Sequence, residues 1–181
     1  MSTAGPNSPG TAADDSAIGT LTWSNPSNIA SSNDSKATVT GNGGAVSHYL
    51  KATNFGFSVP DATIDGVQFD IEMMKAGAGN CNDSVVKLVK ADATLGSTDK
   101  GTDTNLATSD TVRTYGGAAD TWGETLTETD VNDADFGVVI SITFPGASCQ
   151  AEVDHVTCTV TYTAAAGGTS TAKSLLLMGV G

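Results

Sequence analysis

At 181 residues, with 39% hydrophobic content, 6% aromatics and 21 glycines, the chain has the composition of one domain of short strands and many turns rather than of two cores. Eight Lys and Arg against twenty Asp and Glu give a formal net charge of −12, which repels nucleic acid and anionic membrane alike, so neither is an expected partner. No run approaches the ~20 apolar residues of a membrane-spanning helix. The first sixteen residues, MSTAGPNSPGTAADDS, lack the basic start and apolar core of a signal peptide, so synthesis in the cytoplasm is expected.

Residues 1–17 contain Gly5-Pro6, Ser8-Pro9-Gly10 and Asp14-Asp15 and almost nothing to bury. They read as an N-terminal arm, disordered unless a neighbour holds it. A short strand is predicted over 18–23, ended by Asn25-Pro26, with Trp23 plugging one end of the core. Strands over 36–40 and 48–57 flank a glycine-rich turn at 41–44; Leu50, Phe55 and Phe57 supply core side chains, and Pro60 stops the run. From 64 to 74 the alternation puts Val67, Phe69, Ile71 and Met73 on one face and Gln68, Asp70 and Glu72 on the other.

After a glycine-rich loop at 76–83, residues 85–89 are apolar on both faces, as in a strand covered on both sides. Residues 91–110 hold few apolar anchors and read as a long loop at one end. Their Asp-Lys-Gly-Thr-Asp portion lacks the ligand spacing and closing glutamate of an EF-hand. A short strand over 111–115 carries Arg113, the chain's sole arginine. At 127–135, Thr127 or Thr129 as N-cap and acids in the first turn predict one or two helical turns.

Two further strands follow. Phe136, Val138, Ile140, Ile142 and Phe144 share one face, as do Val156, Cys158, Val160 and Tyr162. The turn residues at 145–148 predict that these strands pair as an antiparallel hairpin at the centre of a sandwich. The body of the all-β, antiparallel β-sandwich therefore spans 18–163. A linker at 164–172 delivers a final segment, 173–181, in which Leu175, Leu176, Leu177, Met178 and Val180 form the most apolar short run of the chain. With no polar alternation, both faces of that run want burial, and these five residues are the predicted partner-binding anchor.

Three cysteines cannot all pair within one chain, and their spacing matches no zinc pattern. Cys158 fits a strand face as a small buried hydrophobe. If the 64–74 strand runs antiparallel to the 152–162 strand, the loops holding Cys81 and Cys149 meet. A disulfide there would close roughly 70 residues and stabilise by about 4 kcal/mol in the chain-entropy model.

Nothing in the sequence carries a catalytic mechanism. His48 and His155 have no accompanying G-x-S-x-G elbow, and Asp154 and His155 point to opposite faces of one strand. No phosphate-binding glycine loop precedes a helix, and no pair stands out among twenty acids. No catalytic, cofactor or metal residue is predicted, and the chain is not expected to be an enzyme. Trp122 and Tyr115, with Trp23, form a candidate sugar-stacking platform in an alternative reading; core plugs and rim aromatics are commoner.

Tyr115-Gly116-Gly117, Asp120-x-Trp122-Gly123, Asp130-Val131-Asn132, Phe136-Gly137-Val138, Val153-Asp154-His155-Val156 and Val160-x-Tyr162-Thr163 together resemble a loose family of tailed-bacteriophage structural proteins. Upstream, Trp23-Ser24-Asn25-Pro26 and Asn54-Phe55-Gly56-Phe57 look like the same pattern. The resemblance implies a jelly-roll-like sandwich in the virion, with no catalytic residues. It implies partners among other copies of the chain and other virion proteins such as the major capsid protein. The leading expectation is a capsid decoration or cement protein. The alternative is a carbohydrate-binding or adhesion module of a tail or fibre.

Overall fold

The computed structural model describes residues 1–165. Its strands are β1 (Ser2–Asn7), β2 (Thr11–Asp15), β3 (Ala37–Gly41), β4 (Ala45–Val46), β5 (Tyr49–Thr53), β6 (Ala62–Ala76), β7 (Asn82–Val89), β8 (Leu95–Asp99), β9 (Thr111–Gly116), β10 (Gly137–Phe144) and β11 (Cys149–Ala164), with a 3-10 helix at Pro26–Ile29 and one short α-helix, α1 (Glu128–Asn132). They form two sheets, one ordered β1-β11-β6-β9 with β3 also on β11, the other ordered β2-β5-β10-β7-β8 with β4 also on β10. All the strand pairs are antiparallel. The chain is an antiparallel β-sandwich.

The period-two faces seen in the sequence build the core. β6 and β11 oppose Val67 to Val160, Phe69 to Cys158 and Ile71 to Val156, all six buried. From the other sheet, Val138 and Ile140 of β10 lie between Leu88 and Val86 of β7 and Ala52 and Leu50 of β5. Phe69 is the hub, with ring centroids 5.7 Å from Phe55, 5.6 Å from Trp122 and 6.5 Å from Phe136, distances that suit tilted and edge-on aromatic packing. Before β10, Thr127 caps α1: its hydroxyl accepts from Asp130 N (3.3 Å) and the Asp130 carboxylate accepts from Thr127 N (2.8 Å), a reciprocal capping box.

Four expectations are corrected. β10 and β11 are not a hairpin; they belong to opposite sheets, and residues 145–148 carry the chain between them. Two strands facing each other across a core show the same alternation as two strands side by side, so periodicity does not distinguish the arrangements. Residues 18–23 form no strand; their ladder contact is an isolated bridge at Leu21, although Trp23 does enter the core. The 91–110 segment includes β8, which pairs with β7. Residues 1–17 are not an arm: β1 pairs with β11 and β2 with β5, so this segment supplies a border strand to each sheet.

Candidate functional site

The aromatic platform is not at the surface. Trp122 is 0% exposed, Trp23 2% and Tyr115 4%, so none of the three presents a ring face to a sugar. Trp122 lies edge-on to Phe69 with its Nε1 donating to Val67 O (2.9 Å), and Lys100 Nζ sits 5.0 Å from its ring centroid. Trp23 Nε1 donates to His48 O (2.9 Å). Each indole N–H meets a backbone carbonyl, as buried tryptophan requires.

The densest polar cluster is a hub at Asp83, a residue the sequence did not single out. β7 carries Asp83 inward, and it is fully buried. Its Oδ2 accepts from Tyr115 Oη (2.7 Å). Its Oδ1 accepts from Thr104 N (3.0 Å) and from Arg113 Nη1 (2.7 Å), and both oxygens accept from Thr102 Oγ1 (2.9 Å). Burial pushes the Asp83 carboxyl up, but hydrogen bonds from Tyr115, Thr104 and Thr102, together with the Arg113 charge, outweigh it and hold the carboxyl below its ordinary range. Burial, and then the hydrogen bond to Asp83 and the Asp83 charge, push the Tyr115 hydroxyl well above a normal phenol. The same guanidinium donates to Thr104 O (3.0 Å) and Asn105 O (2.7 Å). Both Asp83 oxygens are spent on protein donors, so the hub pins the 100–110 loop rather than waiting for a ligand.

The disulfide lies beneath that loop. Cys81 and Cys149 are bonded with Cα atoms 6.0 Å apart, where the loops following β6 and preceding β11 meet at Gly79 N→Ser148 O (3.2 Å). Leu106 N donates to Cys81 O (2.8 Å), and Cys81 N donates to Asn105 Oδ1 (3.0 Å). Cys158 is a free, buried thiol facing the core.

Both histidines have polar partners. His48 Nδ1 is 2.8 Å from Asp14 Oδ2, tying β2 to the residue before β5. His155 Nε2 is 2.8 Å from Ser8 Oγ at the exposed surface. Among the described residues, no group of three or more His, Cys, Asp or Glu is placed to hold a metal ion. The predicted anchor residues Leu175, Leu176, Leu177, Met178 and Val180 lie outside the described residues.

The sheet borders differ from one another. Ser24 covers β3 with reciprocal bonds to Thr38 (2.8 and 3.0 Å), and Thr20 N reaches Val46 O of β4 (2.9 Å). Glu124 Oε1 accepts from Ser97 N of β8 (3.0 Å). β1 contains Pro6, which has no N–H, and β2 carries Asp14 and Asp15. Such features close a border to further pairing. Among the described residues, β9 has none of them, and its backbone is paired only on the β6 side. Its one charge, Arg113, is folded inward onto Asp83. Val112 on its outer face is 55% exposed and is, with Met1, one of two large hydrophobic residues exposed among those described.

No family model and no curated protein sequence matches the chain. Solved structures that align with it include a CBM4 module (12% identity, TM-score 0.41, covering 81% of this chain and 92% of that one). The N-terminal cellulose-binding domain of Cellulomonas fimi β-1,4-glucanase C aligns at 11% identity and a TM-score of 0.40, covering 81% and 85%. The enzymatically active domain of bacteriophage CBA120 tailspike protein 4 aligns at 11% identity and a TM-score of 0.39, covering 84% of this chain and 19% of that one. Likenesses of this size assign neither ligand nor partner to this chain.

Proposed function

We propose that this chain is a non-catalytic structural subunit of a phage particle, a decoration or cement protein whose work is done by contacts with other copies and with its neighbours in the virion. The supporting observation is the β9 border, an open six-residue strand with an exposed valine, beside a polar hub whose groups are all engaged internally. A site built for chemistry leaves acceptors and donors free to meet a substrate; at this border the unspent bonding capacity is the backbone of β9. The net charge of −12 keeps such a subunit soluble at high copy number. Quantitative mass spectrometry of purified particles tests this. The chain should be present in a fixed ratio to the major capsid protein, and its absence from particles overturns the reading.

A second reading, a carbohydrate-binding or adhesion module of a tail or fibre, is favoured by the outer face of the first sheet. There Gln68, Asp70 and Glu72 of β6 lie in register with Thr159, Thr157 and His155 of β11, a half-buried polar array able to hydrogen-bond sugar hydroxyls without an aromatic platform. That face, and not the likeness to solved modules, carries this reading. A glycan array probed with the full chain should then show binding that weakens on Glu72→Ala and His155→Ala; silence across the array overturns it. Trp122→Ala does not discriminate, because the indole is in the core.

A further inference from the structure

The 173–181 segment and the open β9 border are complementary in kind: an apolar run that wants both faces buried, and an unpaired strand beside an exposed valine. We propose that residues 173–181 of a second copy add as a strand to the outer edge of β9. This rests on the structural-subunit reading above and names its contact.

The first argument is that β9 accepts a strand. Natural borders carry proline, outward charge or a covering loop to prevent strand addition, and the other borders of this molecule carry them. On β9, Val112 and Thr114 stand on the outer face opposite Glu72 and Asp70, and Arg113 and Tyr115 point inward to Asp83, so no charge projects from the strand. Strand addition supplies affinity through main-chain bonds and specificity through alternate side chains, and Leu175 to Met178 provide apolar side chains for both faces.

The second argument is reach, and it selects a neighbour over the chain's own border. β11 ends with Ala164 opposite Ala62, and Ala165 N bonds to Asp61 O (3.1 Å). β9 meets β6 farther along, with Gly116 opposite Gln68. That offset is about 20 Å along β6 and about 14 Å across three strand spacings, so the open edge lies roughly 25 Å from the end of β11. With Ala164 and Ala165 already fixed, only residues 166–172 remain to bridge it; a glycine-containing coil of that length would span about 15 Å on average, and only full extension at ~3.3–3.6 Å per residue covers the distance. A second copy can bring its border to the segment instead, and exchange between two copies makes the contact reciprocal.

Sedimentation velocity on the full chain tests the contact. Wild type should self-associate, and Val112→Lys, which places a charge on the border, should weaken association at least tenfold with an unchanged melting temperature. In a Val112→Cys, Leu176→Cys double variant, oxidation should give a covalent dimer on a non-reducing gel. A monomeric wild type, a Val112→Lys chain that associates like wild type, or a bond that closes within one chain each overturns the proposal. The structural-subunit reading fails separately, by absence of the chain from particles. A chain present in particles whose Val112→Lys variant still associates removes only this contact.

Discussion

Two segments of this molecule are poor in apolar residues, residues 1–17 and the 100–110 loop, and the fold holds them by different means. The first is held by main chain. Ser2, Thr3 and Ala4 oppose Tyr162, Thr161 and Val160, while Thr11 to Asp15 oppose Thr53 to Tyr49; the main side-chain tie is Asp14, which accepts from Trp23 N (2.7 Å) and meets His48. The second is held by side chains. Thr102 and Thr104 close on the Asp83 carboxylate, Arg113 takes two loop carbonyls, and Leu106, 2% exposed, plugs the core above the disulfide. Composition alone marks both as unable to order themselves. What orders them is a ladder of pairings with no single indispensable member in one case, and a few buried polar groups that each matter in the other.

The sharpest way to break this contrast is to remove the ladder as a whole. Deleting residues 1–15 strips a border strand from each sheet and bares β11 and β5, so the variant should lose its cooperative melt or aggregate. A melting temperature within a few degrees of the full chain, measured by circular dichroism, would show that the pairing is dispensable. The next largest effect is expected under the loop. Replacing Cys81 and Cys149 together by Ala opens a link with a sequence separation of 68. It should lower stability by about 4 kcal/mol in denaturant titration on the chain-entropy estimate, and a loss below about 1 kcal/mol would show that the loop does not depend on the bond.

What was legible in the sequence follows the same division. The inner faces of β6, β10 and β11 were readable because every second residue from Val67 to Met73, from Phe136 to Phe144 and from Val156 to Tyr162 is apolar, and burial on one face imposes that alternation. The cap of α1 was readable as Thr127 or Thr129 from the acids that follow, and the structure uses Thr127. Pairing partners were not: β1 and β2 bond through backbone, which every residue carries alike, so Ser2 to Asn7 and Thr11 to Asp15 show no signal of their own. The outer face of the second sheet was legible only at residues 85–89, apolar on both faces; Tyr49 and Val139, which join Val89 in a small second cluster backed by Ile18 and Leu95, were missed. The Asp83 hub joins residues 83, 102, 104, 113 and 115, and a network made by topology leaves no motif in the chain. One sign of it was present: the sole arginine sits in a strand whose partner, β6, offers no inward acid.

Asp83→Asn sharpens the contrast from the loop side. It keeps the shape but removes the charge that faces Arg113 and Tyr115, and should cost about 2–3 kcal/mol. The wild-type hub also predicts a pH dependence. The folded carboxyl lies below its unfolded value near 3.8, so the unfolded chain takes up the proton first. The hub's contribution is fully present above that value and falls as pH drops from it through the folded one. Asp83→Asn should lack this acid-side slope; a variant whose stability tracks wild type between about pH 5 and 2 would show that Asp83 is not the titrating group.

The smallest effects test the contrast most directly, because they set one side chain against one side chain. Thr102→Val removes a hydroxyl that touches both Asp83 oxygens at 2.9 Å without changing the size of the side chain. It leaves a buried carboxylate short of a donor, so it should cost about 1–2 kcal/mol. Ser8→Ala removes the hydroxyl 2.8 Å from His155 Nε2, at a surface where water replaces it. If residues 1–17 are held by the backbone ladder, that loss should stay below about 0.5 kcal/mol. Both numbers come from urea titration of the full chain under identical conditions. A Ser8→Ala cost equal to or above that of Thr102→Val would mean that the N-terminal segment, like the loop, hangs on individual side chains, and that the ladder drawn by its register is not what fixes it.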